Sequence, residues 1–93
     1  MEQLKRYKAV LTGNVQGVGL RIFAKEQATK LGVTGWIRNM EDGTVHLEMQ
    51  GKQPEIDKLT EIIKKGNFII KVESMEVEEI APLADDEAFV IKY

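Results

Sequence analysis

Ninety-three residues, 43% hydrophobic and 30% charged, with a formal net charge of −2, suffice for one self-supporting core and are too few for several. The absence of cysteine excludes a disulfide framework, a thiolate nucleophile and any sulfur-ligated metal. No apolar run is long enough for a secretory leader or a membrane span, so the expectation is a single cytoplasmic domain over residues 1–93 with no membrane partner.

Charge is divided unevenly along the chain. Residues 1–38 hold seven basic side chains against Glu2 and Glu26, whereas residues 72–91 hold seven acidic side chains and neither Lys nor Arg. The acidic stretch reads as a solvated face, and the basic half is the part that would draw anions.

In chain order, "YKAVLT" (7–12) reads as a strand stopped by Gly13. The connection that follows holds Gly13, Gly17 and Gly19 and ends in Arg21. Leu20, Phe23, Ala24, Ala28 and Leu31 then recur at helical spacing, with Lys25, Glu26 and Lys30 between them and Gly32 placed to end the helix. Residues 34–50 read as a hairpin around Asp42-Gly43. Within it Val45, Leu47 and Met49 alternate with Thr44, His46, Glu48 and Gln50, one set buried and the other exposed. A second helix runs from Pro54 to Lys65, with Ile56, Leu59, Ile62 and Ile63 as its apolar stripe and Gly66 at its close. Phe68, Ile69 and Ile70 read as core filling. Residues 71–80 form a strand in which Val72 and Ile80 are out of phase with Met75 and Val77, which predicts a bulge or break. "PLADDE" is a loop, and "AFVIKY" is a short strand with Phe89 and Ile91 on one face.

The order β-α-β-β-α-β plus a terminal strand predicts a ferredoxin-like α+β sandwich, an antiparallel sheet with two helices on one face. That fold hosts many activities, so function must be argued from a site. The loop before the first helix is the candidate. The leading N–H groups of a helix lack intrahelical acceptors, and a glycine-rich wrap lets successive amides converge on an anion. An arginine in that first turn opposes the helix dipole, which a bound anion would offset. The lysine and serine or threonine of a nucleotide P-loop are missing, and the glycine spacing is not that of a dinucleotide fingerprint. Spacing alone serves a tight turn with a solvated arginine equally well.

Two segments carry more than spacing does. "GNVQGVGLR" (13–21) followed by "GWIRNMEDGTVHLEMQG" (35–51) closely resembles the signature segments of the acylphosphatase family, and the likeness extends to the terminal "FVIKY". The resemblance implies hydrolysis of the mixed anhydride of a carboxylic acid and phosphate. It assigns Arg21 as the arginine that holds the substrate phosphate and Asn39 as the asparagine that orients the attacking water. It makes the backbone of Val15, Gln16, Gly17, Val18, Gly19 and Leu20 the phosphate cradle. At position 20 the family usually has an aromatic residue, most often Phe; Leu20 is expected to pack beneath the loop.

The resemblance further implies a small-molecule acyl phosphate as substrate and inorganic phosphate as product and inhibitor, and a ferredoxin-like domain can stand alone, so a monomer is expected. Neither metal nor organic cofactor is expected, because no Asp-rich or His-rich cluster suggests one. His46, on the polar side of its strand, reads as a surface residue, and Arg38 points away from Asn39. Trp36 and Ile37 take opposite sides of their strand. Two other readings are weighed. One is a phosphate- or carbamoyl-phosphate-binding module without turnover. The other is a nucleic-acid binder, disfavoured because the exposed third-strand positions lack aromatics for base stacking.

Overall fold

Seven elements form among residues 3–93, the part of the chain that the computed structural model describes. They are β1 (Lys5–Asn14), α1 (Leu20–Leu31), β2 (Thr34–Asn39), β3 (Val45–Gly51), α2 (Gln53–Lys65), β4 (Lys71–Ile80) and β5 (Phe89–Lys92). The strand order is β4-β1-β3-β2-β5. β1, β2, β3 and β4 are joined by antiparallel ladders, as the ferredoxin-like reading expects. β5 adds on in parallel beside β2, so the five-stranded sheet is mixed.

Side-chain alternation decides which face is covered. Ala9 and Leu11 of β1, Ile37 of β2, and Val45, Leu47 and Met49 of β3 are all fully buried. They meet Leu20, Ala24 and Ala28 of α1 and Ile56, Leu59 and Ile63 of α2 in one core cluster. Helix α1 packs on α2, β2 and β5, while α2 packs on β3 and β4. The small side chains of Ala24 and Ala28 let α1 lie close to the sheet, and Gly32 ends it in the left-handed conformation. In the hairpin turn, Asp42 Oδ1 accepts from the Thr44 amide at 3.0 Å and from the Thr44 hydroxyl at 2.6 Å. Those bonds hold the Asp42 carboxyl below its ordinary value of 3.8.

The phase conflict in β4 resolves at Val72 as a bulge, while Ile80, opposite Arg6, takes the helix-free side of the sheet. Thr12 pairs with Ser74 and Gly13 with Val72, so Glu73 is the extra residue. Beyond it Val72 and Met75 share the core-facing side. β1 does not stop at Gly13 but runs on to Asn14. It can do so because Gly13 holds a φ of 122°, and a Cβ at that position would collide with the Lys71 carbonyl oxygen.

Two burial expectations are overturned. Phe68 and Ile69 do not fill the core. They are 95% and 58% exposed, and only Ile70 turns inward. The segment is held outward because the Asn67 side chain accepts from the amides of Ile69 and Ile70, at 2.9 and 2.8 Å. Gln50, expected on the exposed side of β3, is buried. Its concealment follows from topology. β4 and β5 lie on opposite edges, so residues 81–88 must cross the face of the sheet that carries no helix.

Beneath that strap Gln50 takes both backbone groups of Leu83. Its Nε2 donates to the Leu83 carbonyl and its Oε1 accepts from the Leu83 amide, each at 2.8 Å. Arg6, only 1% exposed, donates from Nε to Glu48 at 2.7 Å and from Nη1 to Asp86 at 2.5 Å and to Gln50 at 3.3 Å. Burial pulls the Arg6 pKa down, and the hydrogen bonds and charges of Asp86 and Glu48 more than reverse this, leaving it above its ordinary value.

Replacing Arg6 by Met strands two partly buried carboxylates under the strap. It is expected to lower the unfolding free energy by about 2–4 kcal/mol, read from urea denaturation at neutral pH. The Asp42 effect has the opposite trigger. A depressed carboxyl pKa adds stability that is complete above the unfolded value and is lost as pH falls through the folded one. The difference in urea midpoint between the parent and Asp42→Ala should therefore hold steady from pH 7 to near 3.8 and shrink as pH is lowered further.

Candidate active site

The connection between β1 and α1 is pinned at both ends and bent in the middle. Val15 and Leu20 are each 1% exposed and anchor in the core. Leu20 thus packs beneath the loop, as expected. Between them Gly17 and Gly19 hold φ values of 71° and 78°. A Cβ on either would meet nothing within 4 Å. The left-handed conformation, rather than crowding, is what calls for glycine there, and the space in front of both stays open. Helix α1 then starts with Gly19 as its N-cap, with no side-chain cap and no acidic residue in its first turn. Its leading amides have no side-chain acceptor, and the positive end of its dipole is uncompensated.

Arg21 stands in that first turn, half-buried. Among the described residues the ion pairs are those of Arg6, and Arg21 makes none. Its guanidinium lies over the ring of Tyr93, with Cζ 5.1 Å from the centroid, a contact with the negative face of the ring. Asn39 closes β2 opposite Val45. It lies two residues beyond the buried Ile37, on the helix-facing side of the sheet. Its Oδ1 is buried and has no hydrogen-bond partner. A buried carbonyl oxygen without a donor is costly and uncommon, and it marks a place where a donor such as water would be held.

Arg21 and Asn39 line one small cavity with Gly17, Gly19, Ile91 and Tyr93. Of the residues singled out from the sequence, Val15 and Leu20 also reach it. Gln16 and Val18 do not. Val18 packs against the core, and the Gln16 side chain reaches across to the hairpin, donating from Nε2 to the carbonyls of Met40 at 2.7 Å and Thr44 at 2.8 Å. Arg38 and His46 pair on the other face of the sheet, away from the helices. Among the described residues no group of His, Cys, Asp and Glu is arranged to hold a metal ion, and no helix is long and apolar enough to cross a membrane.

Ile91 and Tyr93 were missed as site residues, although a signal existed. Phe89 and Ile91 alternate onto the core-facing side, and Ile91 pairs with Ile37. Two further residues along each strand bring Tyr93 level with Asn39.

A sequence model of the acylphosphatase family matches residues 7–91. Among curated relatives, an acylphosphatase from Clostridium beijerinckii is 40% identical over 88 residues, covering 95% of this chain and 98% of the relative. One from Bacillus pumilus is 38% identical over 86 residues, covering 92% of this chain and 96% of the relative. Among solved structures, the acylphosphatase of Bacillus subtilis superposes with a TM-score of 0.90 at 33% identity, covering 98% of this chain and all of that one.

The Asn39 oxygen takes no hydrogen bond from another residue, which separates it from a side chain that holds the fold. Replacing it by Ala is expected to leave the urea midpoint close to that of the parent, because no hydrogen bond to another residue is lost. A loss above about 1 kcal/mol would mean that the side chain is holding the fold.

Proposed function

Because this chain belongs to the acylphosphatase family and is an acyl phosphate hydrolase, we propose that it works by direct attack of water on a phosphoryl group held between Arg21 and the amides of residues 15–20. Asn39 aligns the water. Its Oδ1 accepts one water hydrogen and turns an oxygen lone pair toward phosphorus, on the side opposite the departing carboxylate. The P–O bond to the water forms as the P–O bond to the acyl oxygen breaks. The attacking oxygen keeps one hydrogen and the second moves to a phosphoryl oxygen, so a dianionic acyl phosphate and water give a carboxylate and dihydrogen phosphate. Arg21 offers a planar pair of donors to two phosphoryl oxygens. The loop amides and the helix dipole meet the remaining charge.

A carboxylate is a good leaving group, since its conjugate acid has a pKa of about 4–5. The reaction therefore asks for aligned reactants and charge stabilisation rather than a general acid. That matches the side chains around the cavity, which supply one cation and one amide. The reading makes the enzyme a metal-independent monomer, with one chain contributing every group and inorganic phosphate competing for the same donors. The observation that carries it is the placement of an unpartnered Asn39 Oδ1 beside an arginine that no carboxylate claims.

The test is hydrolysis of benzoyl phosphate in the presence of EDTA. Turnover should be unaffected by the chelator and inhibited competitively by inorganic phosphate. Arg21→Ala and Asn39→Ala should each lower kcat by at least about 100-fold, the loss typical of one preorganised donor. A folded Arg21→Ala variant with near-parental turnover would falsify the assignment. Phosphate binding without hydrolysis would instead make the domain a binding module.

A further inference from the structure

We propose that the side chain of Gln16 is a positioning residue, fixing where the Asn39 oxygen stands relative to the phosphate cradle; this rests on the water-orienting reading of Asn39. The cradle and Asn39 belong to segments that do not pair. β1 and β2 lie on either side of β3, and the last residue they share through it is Val45, opposite Leu11 on one side and Asn39 on the other. Beyond that point the two backbones part, β1 running on beside β4 to Asn14 before the loop 15–19 and β2 giving way to the turn 40–44.

No backbone hydrogen bond joins loop to turn among the described residues. The link between them is Gln16 Nε2, which donates to the carbonyl of Met40 at 2.7 Å and to that of Thr44 at 2.8 Å. Both partners only accept, so the amide nitrogen must face them, and both its hydrogens are used. The two carbonyls form the neck of the turn. The Thr44 oxygen also accepts from the Met40 amide at 2.9 Å, and the Met40 oxygen from the Gly43 amide at 3.2 Å. Met40 directly follows Asn39. One rigid amide thus ties the residue between Val15 and Gly17 to the residue next to Asn39. A displacement of about 1 Å between water and phosphorus is enough to cost roughly 100-fold in rate, so a clamp at this junction acts on turnover without touching substrate.

A double-mutant cycle on the intact chain tests this, using benzoyl phosphate hydrolysis and competitive inhibition by inorganic phosphate. Gln16→Met keeps length and removes both donors. It should lower kcat by roughly 10- to 100-fold while the phosphate inhibition constant stays within about threefold of the parent's, since the loop amides and Arg21 remain. In an Asn39→Ala background the same change should cost less than about twofold, because no side-chain oxygen is left to misplace. If Gln16→Met does not fold, Gln16→Asn, one methylene too short to span both carbonyls, is expected to give the same pattern. A full multiplicative loss on top of Asn39→Ala, or a phosphate affinity that falls in step with kcat, would show that Gln16 only shapes the cradle and overturn the proposal. Near-parental kcat in a folded Gln16→Met variant would do the same. If Asn39→Ala alone retains turnover, the water-orienting reading fails, and the Gln16 proposal falls with it.

Discussion

The fold depends on a crossing that few small sheets need to make. With β4 and β5 on opposite edges, the chain between them must traverse the helix-free face of the sheet, and an irregular segment laid on a sheet exposes backbone groups that need partners. Gln50 provides them at Leu83, and Arg6 ties the strap down through side chains. Gln50 satisfies both the donor and the acceptor of Leu83, and Arg6 neutralises a carboxylate from the sheet and one from the strap at the same time. This network delivers β5 to the edge of β2. There Phe89 completes the core, the Gly35 amide bonds to the Ala88 carbonyl at 3.0 Å, and Ile91 and Tyr93 reach the cavity that holds Arg21 and Asn39. A site on the helix-facing side is thereby completed through contacts made on the opposite face.

Arg6 and Arg21 show how the same side chain is given different work by its surroundings. Arg6 is almost wholly buried and its charge is answered twice. Such a pair fixes geometry, and its gain in stability is offset by desolvation. Arg21 is half-buried, has no carboxylate within reach, and touches the face of Tyr93. It stands at the helix end where a cation is unfavourable, next to glycines that leave space in front of them. A cation left in such a place is stabilised by whatever anion enters, so binding there relieves an electrostatic cost that the free protein carries.

Much of this was legible before any coordinates. The alternation of Val45, Leu47 and Met49, the stripe of Ile56, Leu59 and Ile63, and the phase break that became the Glu73 bulge all follow from periodicity, since each reflects one buried face. The site motif was legible for a different reason: its segments resemble a family's, and geometry then brought Arg21 and Asn39 to one cavity. What could not be read is long-range. Nothing local distinguishes Arg6 from the half-buried Lys8 two residues on, or Gln50 from a solvated glutamine, because both owe their burial to a strap arriving from residues 81–88. Phe68 was misread for the complementary reason. An apolar triplet after a helix suggests core, yet the Asn67 side chain holds the backbone so that only its last member turns inward.

In the proposed mechanism, the choice of substrate follows from what surrounds the cavity of Arg21 and Asn39 rather than from what would grip the phosphoryl group. A phosphate held by amides and a guanidinium is the same group whether it arrives on an alcohol or on a carboxylate, so the grip alone does not discriminate. An alkoxide leaves only if something protonates it, and that demands an acid within about 3 Å of the bridging oxygen with a pKa near the working pH. The groups facing the cavity are aliphatic side chains, glycines, an amide, a guanidinium and a phenol, with no carboxyl side chain and no imidazole among them. His46, the chain's single histidine, belongs to the far face of the sheet. A site so furnished favours anhydrides over esters, because the substrate brings a leaving group that needs no proton.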